Sequence, residues 1–85
     1  MDTTDYMILK AIADLRLASP RADQIATHVR LDAEELEARL GILEMEGYIR
    51  TRSGEDIPGV TLPGGIFAAS ITDRGRKALS GNRWQ

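Results

Sequence analysis

Few residues in this chain are equipped for covalent or metal chemistry. Cysteine is absent, which excludes disulfides, thiolate metal sites and a thiol nucleophile. The single histidine, His28, stands four residues before Asp32, a spacing that presents two metal ligands on one face if a helix runs through both. A helix is expected to end between them and no further ligand converges, so His28 reads as a surface or turn residue. The stretch Leu62-Pro63-Gly64-Gly65 lacks the Lys and Ser/Thr of a phosphate loop and reads as a turn. No Ser-His-acid set can be assembled, and the carboxylates line an exposed helix rather than a water-excluding pocket. No catalytic residue, cofactor or metal site is expected.

What remains is charge and its distribution. The 85 residues carry a formal net charge of −2. Residues 1–46 hold five basic groups against ten acidic ones, a net of −5, and residues 47–85 hold six against three, a net of +3. A polyanion should therefore prefer the C-terminal half. There Arg50 and Arg52, two apart, share one face of an expected strand. Opposite in sign is the segment 32–46, where Asp32, Glu34, Glu35, Glu37, Glu44 and Glu46 meet Arg39 alone. Carboxylates in a first helical turn stabilise the helix dipole, and one glutamate can also accept a hydrogen bond from cytosine N4.

Positioning these groups requires elements that the apolar spacing supplies. Ile8, Ile12 and Leu15 recur at i, i+4, i+7 and predict an amphipathic helix over residues 5–17. Ser19-Pro20 predicts a helix start, with serine capping and proline in the first helical position, for a helix over residues 20–30. Asp32 and Glu35 resemble a capping box opening a helix over residues 33–46, with Leu36, Leu40 and Leu43 as its buried ridge and Ile42 alongside. Gly47 sits where a left-handed residue ends that helix. The period then changes from 3.6 to 2: Tyr48, Arg50 and Arg52 face one way and Ile49 and Thr51 the other. A Gly- and Pro-rich stretch from Gly54 to Gly65 separates this strand from a return strand, Ile66 to Ile71. Thr72 then caps a last helix over residues 73–79, which Ser80-Gly81 breaks. The aliphatic side chains of Ile57, Val60, Leu62 and Ile66 are either folded back on the domain or used in a contact.

A single domain over residues 1–85 fits this length, and 42% hydrophobic residues fit a globular chain. No apolar run approaches a membrane span and the N-terminus does not read as a signal peptide, so a soluble, cytoplasmic protein is expected. So short a chain builds a marginal core, which makes pairing with a second copy an expectation. Helix 1, the last helix and Trp84 are the candidates for that contact.

The order helix, helix, helix, long-looped hairpin, helix (α+β) resembles a winged helix-turn-helix domain over roughly residues 5–79. Two pieces carry the resemblance. Leu40-Gly41-Ile42-Leu43-Glu44-Met45-Glu46-Gly47-Tyr48-Ile49 is similar to the join between recognition helix and wing (48–71). Ile71-Thr72-Asp73-Arg74-Gly75-Arg76-Lys77-Ala78-Leu79 resembles the stretch closing the wing in MarR- and PadR-type transcription regulators. The resemblance implies a dimeric, duplex-DNA-binding regulator. Helix 2 would span Ser19–Val29, the turn Arg30-Leu31-Asp32, and the recognition helix Ala33–Glu46. Base edges would fall to Glu34, Glu35, Glu37, Ala38, Arg39 and Gly41, and phosphates to Arg21, Thr27 or Arg30, Arg50 and Arg52. Family members usually carry neutral polar or basic residues where this chain has Glu34, Glu35 and Glu37. The alternative is a protein-interaction module of the same fold whose acidic third helix docks on a basic partner.

Overall fold

The computed structural model describes residues 3–81. Among them, the helices α1 (Thr3–Asp14), α2 (Ala22–Val29) and α3 (Ala33–Met45) precede the strands β1 (Ile49–Ser53) and β2 (Ile66–Ile71), and α4 (Asp73–Gly81) follows. This is the α+β winged-helix arrangement. Its centre is the set of fully buried side chains Ile8, Leu9 and Ile12 of α1, Ile25 of α2, Leu36, Leu40 and Leu43 of α3, and Ile49 of β1. Each helix contributes the apolar stripe that its period predicts, so burial of these stripes against one another is the main stabilising term. Ile42 departs from its expected place beside the ridge, being 45% exposed.

Helix boundaries differ from the sequence reading where backbone geometry intervenes. α1 closes at Asp14 rather than at residue 17, because Arg16 adopts a left-handed φ of 54°. The start of α2 is also displaced: Ser19 does not cap it, and Pro20 is not its first residue. The Pro20 carbonyl accepts a hydrogen bond from the Ala69 amide at 3.0 Å, and Arg21 bridges Ala68 in antiparallel fashion. This isolated bridge to the edge of β2 keeps the two residues extended and delays the helix to Ala22. Arg21 is the N-cap, its amide donating to Gln24 Oε1 at 3.0 Å. α2 ends one residue before the expected Arg30, which takes φ 59°.

α3 starts as expected, with Asp32 Oδ1 accepting from the Glu35 amide at 2.8 Å. It ends in a paired 6→1 and 5→2 hydrogen-bond closure: the Tyr48 amide donates to the Leu43 carbonyl and the Gly47 amide to the Glu44 carbonyl, both at 3.0 Å. This closure places Gly47 at φ 86°. β1 and β2 pair antiparallel from Ile49↔Ile71 to Arg52↔Ala68, with an irregularity after Arg52.

Between the strands the chain is irregular, as the glycines and prolines predict, and it is folded back on the domain. Leu62 is buried in the core cluster, with Ile66 packed against that cluster. Thr61 Oγ1 ties the loop together by accepting from the Ile57 amide at 2.6 Å and donating to the Glu55 carbonyl at 2.9 Å. Thr72 caps α4, its Oγ1 accepting from the Gly75 amide at 3.1 Å. That helix runs through Gly81, two residues beyond expectation. Trp84 lies outside the described residues.

Candidate nucleic-acid interface

The turn Arg30-Leu31-Asp32 sets α3 against α2, and the four sides of α3 have distinct occupations. Leu36, Leu40 and Leu43 enter the core. Toward α1, Arg39 Nε donates to Glu35 Oε2 at 2.9 Å, and its Nη1 lies 3.6 Å from Oδ1 of Asp5, a residue only 5% exposed. Toward the wing, the Glu37 carboxylate accepts from the Gly64 amide, and Glu44 accepts from both the amide (3.0 Å) and the hydroxyl (2.8 Å) of Thr51. The remaining side faces solvent as the stripe Glu34, Ala38, Gly41 and Met45 at i, i+4, i+7, i+11, with Ile42 beside it. Together with Pro63 of the wing loop, this stripe lines an open groove.

This placement divides the six positions expected at base edges. Glu34, Ala38 and Gly41 lie on the outward stripe, whereas Glu35 and Arg39 are engaged toward α1 and Glu37 toward the wing. The acidity of α3 thus has a largely internal explanation: Asp32 caps, Glu35 holds Arg39, Glu37 holds the wing loop and Glu44 holds β1. Ile42 and Met45, 45% and 88% exposed, were absent from the sequence reading of the site. The signal for them was available, since both continue the spacing of Glu34 and Ala38. The partners of Glu37 and Glu44 carried no such signal, lying 27 and 7 residues away beyond the end of α3.

The basic residues of helix 2 and the wing meet through Ala68. Arg52 pairs with Ala68 on one side and Arg21 bridges Ala68 on the other, so the three side chains stand on one face of the sheet. Two strand spacings put the two arginine backbones about 10 Å apart. Ala68 between them is only 3% exposed. Arg50, paired with Ser70, extends the same face by two residues, and the Arg74 guanidinium lies 5.2 Å from the centroid of the Tyr48 ring. Arg21 is partly committed, with its Nε 3.2 Å from Asp23 Oδ1. Among the described residues, Arg30, Arg50 and Arg52 have no carboxylate within ion-pair distance. Thr27, exposed on α2, donates its Oγ1 hydroxyl to the Asp23 carbonyl at 2.9 Å.

Asp32 is spent on its cap, His28 is exposed in the last turn of α2, and among the described residues no group of three or more metal-ligating side chains occurs. No helix of the described residues is long and apolar enough to cross a membrane.

Comparison with known proteins gives likeness in structure but not in sequence. No family model matches the chain and no curated protein matches it. Among solved structures, the M. tuberculosis transcriptional regulator MOSR in complex with DNA superposes with a TM-score of 0.71 at 18% identity, over 95% of this chain and 52% of that one. The zinc-responsive MarR family member ZitR of Lactococcus lactis gives 0.70 at 14% identity, over 98% of this chain and 51% of that one. A PadR family transcription regulator from Clostridium difficile gives 0.71 at 17% identity, over 98% and 85%. The chain therefore spans about half the length of most of the regulators it resembles. With helix, turn, helix and a hairpin wing closed by a final helix, it has the winged helix-turn-helix fold seen in MarR- and PadR-family regulators.

Proposed function

We propose that this chain binds duplex DNA as a transcription regulator and works as a homodimer. The observation that carries the reading is the arginine row across the sheet, Arg21, Arg50 and Arg52, brought onto one face by the pairing of both sides of Ala68. Such a row suits the phosphate backbone, which supplies most of the affinity of DNA-binding proteins. Arg30 and Thr27 extend the phosphate contacts from α2, and Glu34, Ala38 and Gly41 face the major groove. The internal engagement of Glu35, Glu37 and Glu44 supports this over docking on a basic protein partner, since those carboxylates are already hydrogen-bonded.

Titration of random-sequence duplex at low and moderate salt tests it. With four phosphate contacts, affinity should fall roughly a hundredfold for a fourfold rise in salt. The double variant Arg50→Ala/Arg52→Ala should bind more weakly at low salt, with a log–log salt slope shallower by about two. Absence of binding by the native chain at low salt would sink the reading.

A further inference from the structure

Resting on the DNA reading, the chemistry of the outward face of α3 sets which base edges it accepts. Along the groove α3 presents Glu34, Glu37, Ala38, Gly41, Ile42 and Met45: two carboxylates, of which Glu37 is engaged by the Gly64 amide, four apolar or bare positions and no side-chain N–H or O–H donor. Purines present N7 as an acceptor on both bases, beside the O6 acceptor on guanine and the N6 amino donor on adenine, and are normally matched by Arg, Lys, Asn or Gln. This stripe has none of these: Arg39, the one cation of α3, is turned toward Glu35 and Asp5. An uncommitted carboxylate and exposed methyl groups best match the pyrimidine edge, through the cytosine N4 amino group and the thymine C5 methyl, because the adenine amino donor stands beside the N7 acceptor, which repels a carboxylate.

Gly41 points the same way. A Cβ built there meets nothing within 4 Å, so no contact inside the molecule requires a glycine, although glycine weakens a helix interior relative to alanine. The bare backbone at mid-stripe leaves room for an outside surface to approach closely, flanked by Ile42 and walled by Pro63. Duplex is the occupant that suits the groove, because the same domain carries the arginine row that would hold the phosphates. The step from Glu34 to Ile42, eight positions on, spans about 12 Å of helix axis, or about four base-pair steps of about 3.4 Å.

We infer that α3 is a pyrimidine reader, in which Glu34 accepts from the amino group of one cytosine and Ala38 and Ile42 pack on the methyl groups of thymines within about four base pairs of it. The test is selection from a random-core duplex library with the full chain, followed by titration of an enriched duplex and of the same duplex with deoxyuridine in place of thymine. Deoxyuridine at a contacted position removes one methyl group and should weaken binding about fourfold. Ile42→Ala should shrink that penalty. Glu34→Gln should move the preference at one position from cytosine to adenine by about tenfold. Both substitutions are at exposed positions, and thermal unfolding of each variant checks that it folds.

Salt-dependent binding with no deoxyuridine penalty, or with no change of preference in Glu34→Gln, overturns the pyrimidine assignment and leaves the DNA reading standing. Failure to bind any duplex at low salt overturns both, and is the result that a protein partner on this face would give.

Discussion

The hydroxyl of Thr72 donates to the Gly47 carbonyl at 2.7 Å. The same oxygen accepts from the Gly75 amide, and the Thr72 amide donates to the Tyr48 carbonyl at 3.1 Å. One side chain thus caps α4 and fastens it to the end of α3. The two motif segments, one around Gly47-Tyr48-Ile49 and the other around Ile71-Thr72-Asp73-Arg74-Gly75, are the two halves of a single contact. Thr72→Val keeps the shape and loses both hydrogen bonds, and should cost about 1–2 kcal/mol in urea unfolding. Thr72→Ser should retain most of the stability, and equal losses in the two variants would refute the assignment.

Glycines at positions 75 and 41 should respond oppositely to alanine. A Cβ at Gly75 would come within 2.3 Å of the Tyr48 carbonyl oxygen and 2.7 Å of Ile71 Cγ1, so backbone must move. Gly75→Ala is expected to destabilise by about 2 kcal/mol or more, in the range of other overpacking changes. Gly41→Ala meets open space within a helix and should stabilise by about 0.5–1 kcal/mol. Thermal unfolding of the two variants beside the native chain decides both.

Carboxylates of α3 should report their engagement through amide hydrogen exchange. Glu44→Ala removes the acceptor of the Thr51 amide, and Glu37→Ala that of the Gly64 amide. Each should speed exchange at its own partner amide and leave the other unchanged, because the two contacts lie on different parts of the wing. Uniform acceleration across the domain would instead mark a global loss of stability.

Removal of the α3 cap is the sharpest probe of the helix start. Asp32→Ala leaves the Glu35 amide without its side-chain acceptor and should cost about 1 kcal/mol. Asp32→Asn retains an acceptor and should cost less, by the same chemical-denaturation measurement.

The proposed homodimer is open to a direct check, with α1 expected in the contact. Met7 on α1 is 47% exposed, and Met7→Glu should shift sedimentation at micromolar concentrations from dimer toward monomer. A native chain that sediments as a monomer would remove the expectation together with any role for Met7.

Much of this domain was written locally. Apolar spacing predicts which faces of α1, α2 and α3 are buried, because helix period and burial stripe are set within a few residues. Asp32, Gly47 and Thr72 announce their caps for the same reason: a cap bonds to amides or carbonyls three to five positions away. The alternation of Tyr48, Arg50 and Arg52 likewise placed the wing arginines on one face. Tertiary structure decided what lies far apart along the chain. Pro20 and Arg21 read as a helix start, and only the edge of β2, some 48 residues on, holds them extended. The burial of Leu62 and the division of the α3 carboxylates between internal partners and solvent also depend on where the wing loop returns. A carboxylate chooses its partner by distance in space, and residue spacing along the chain does not contain that distance.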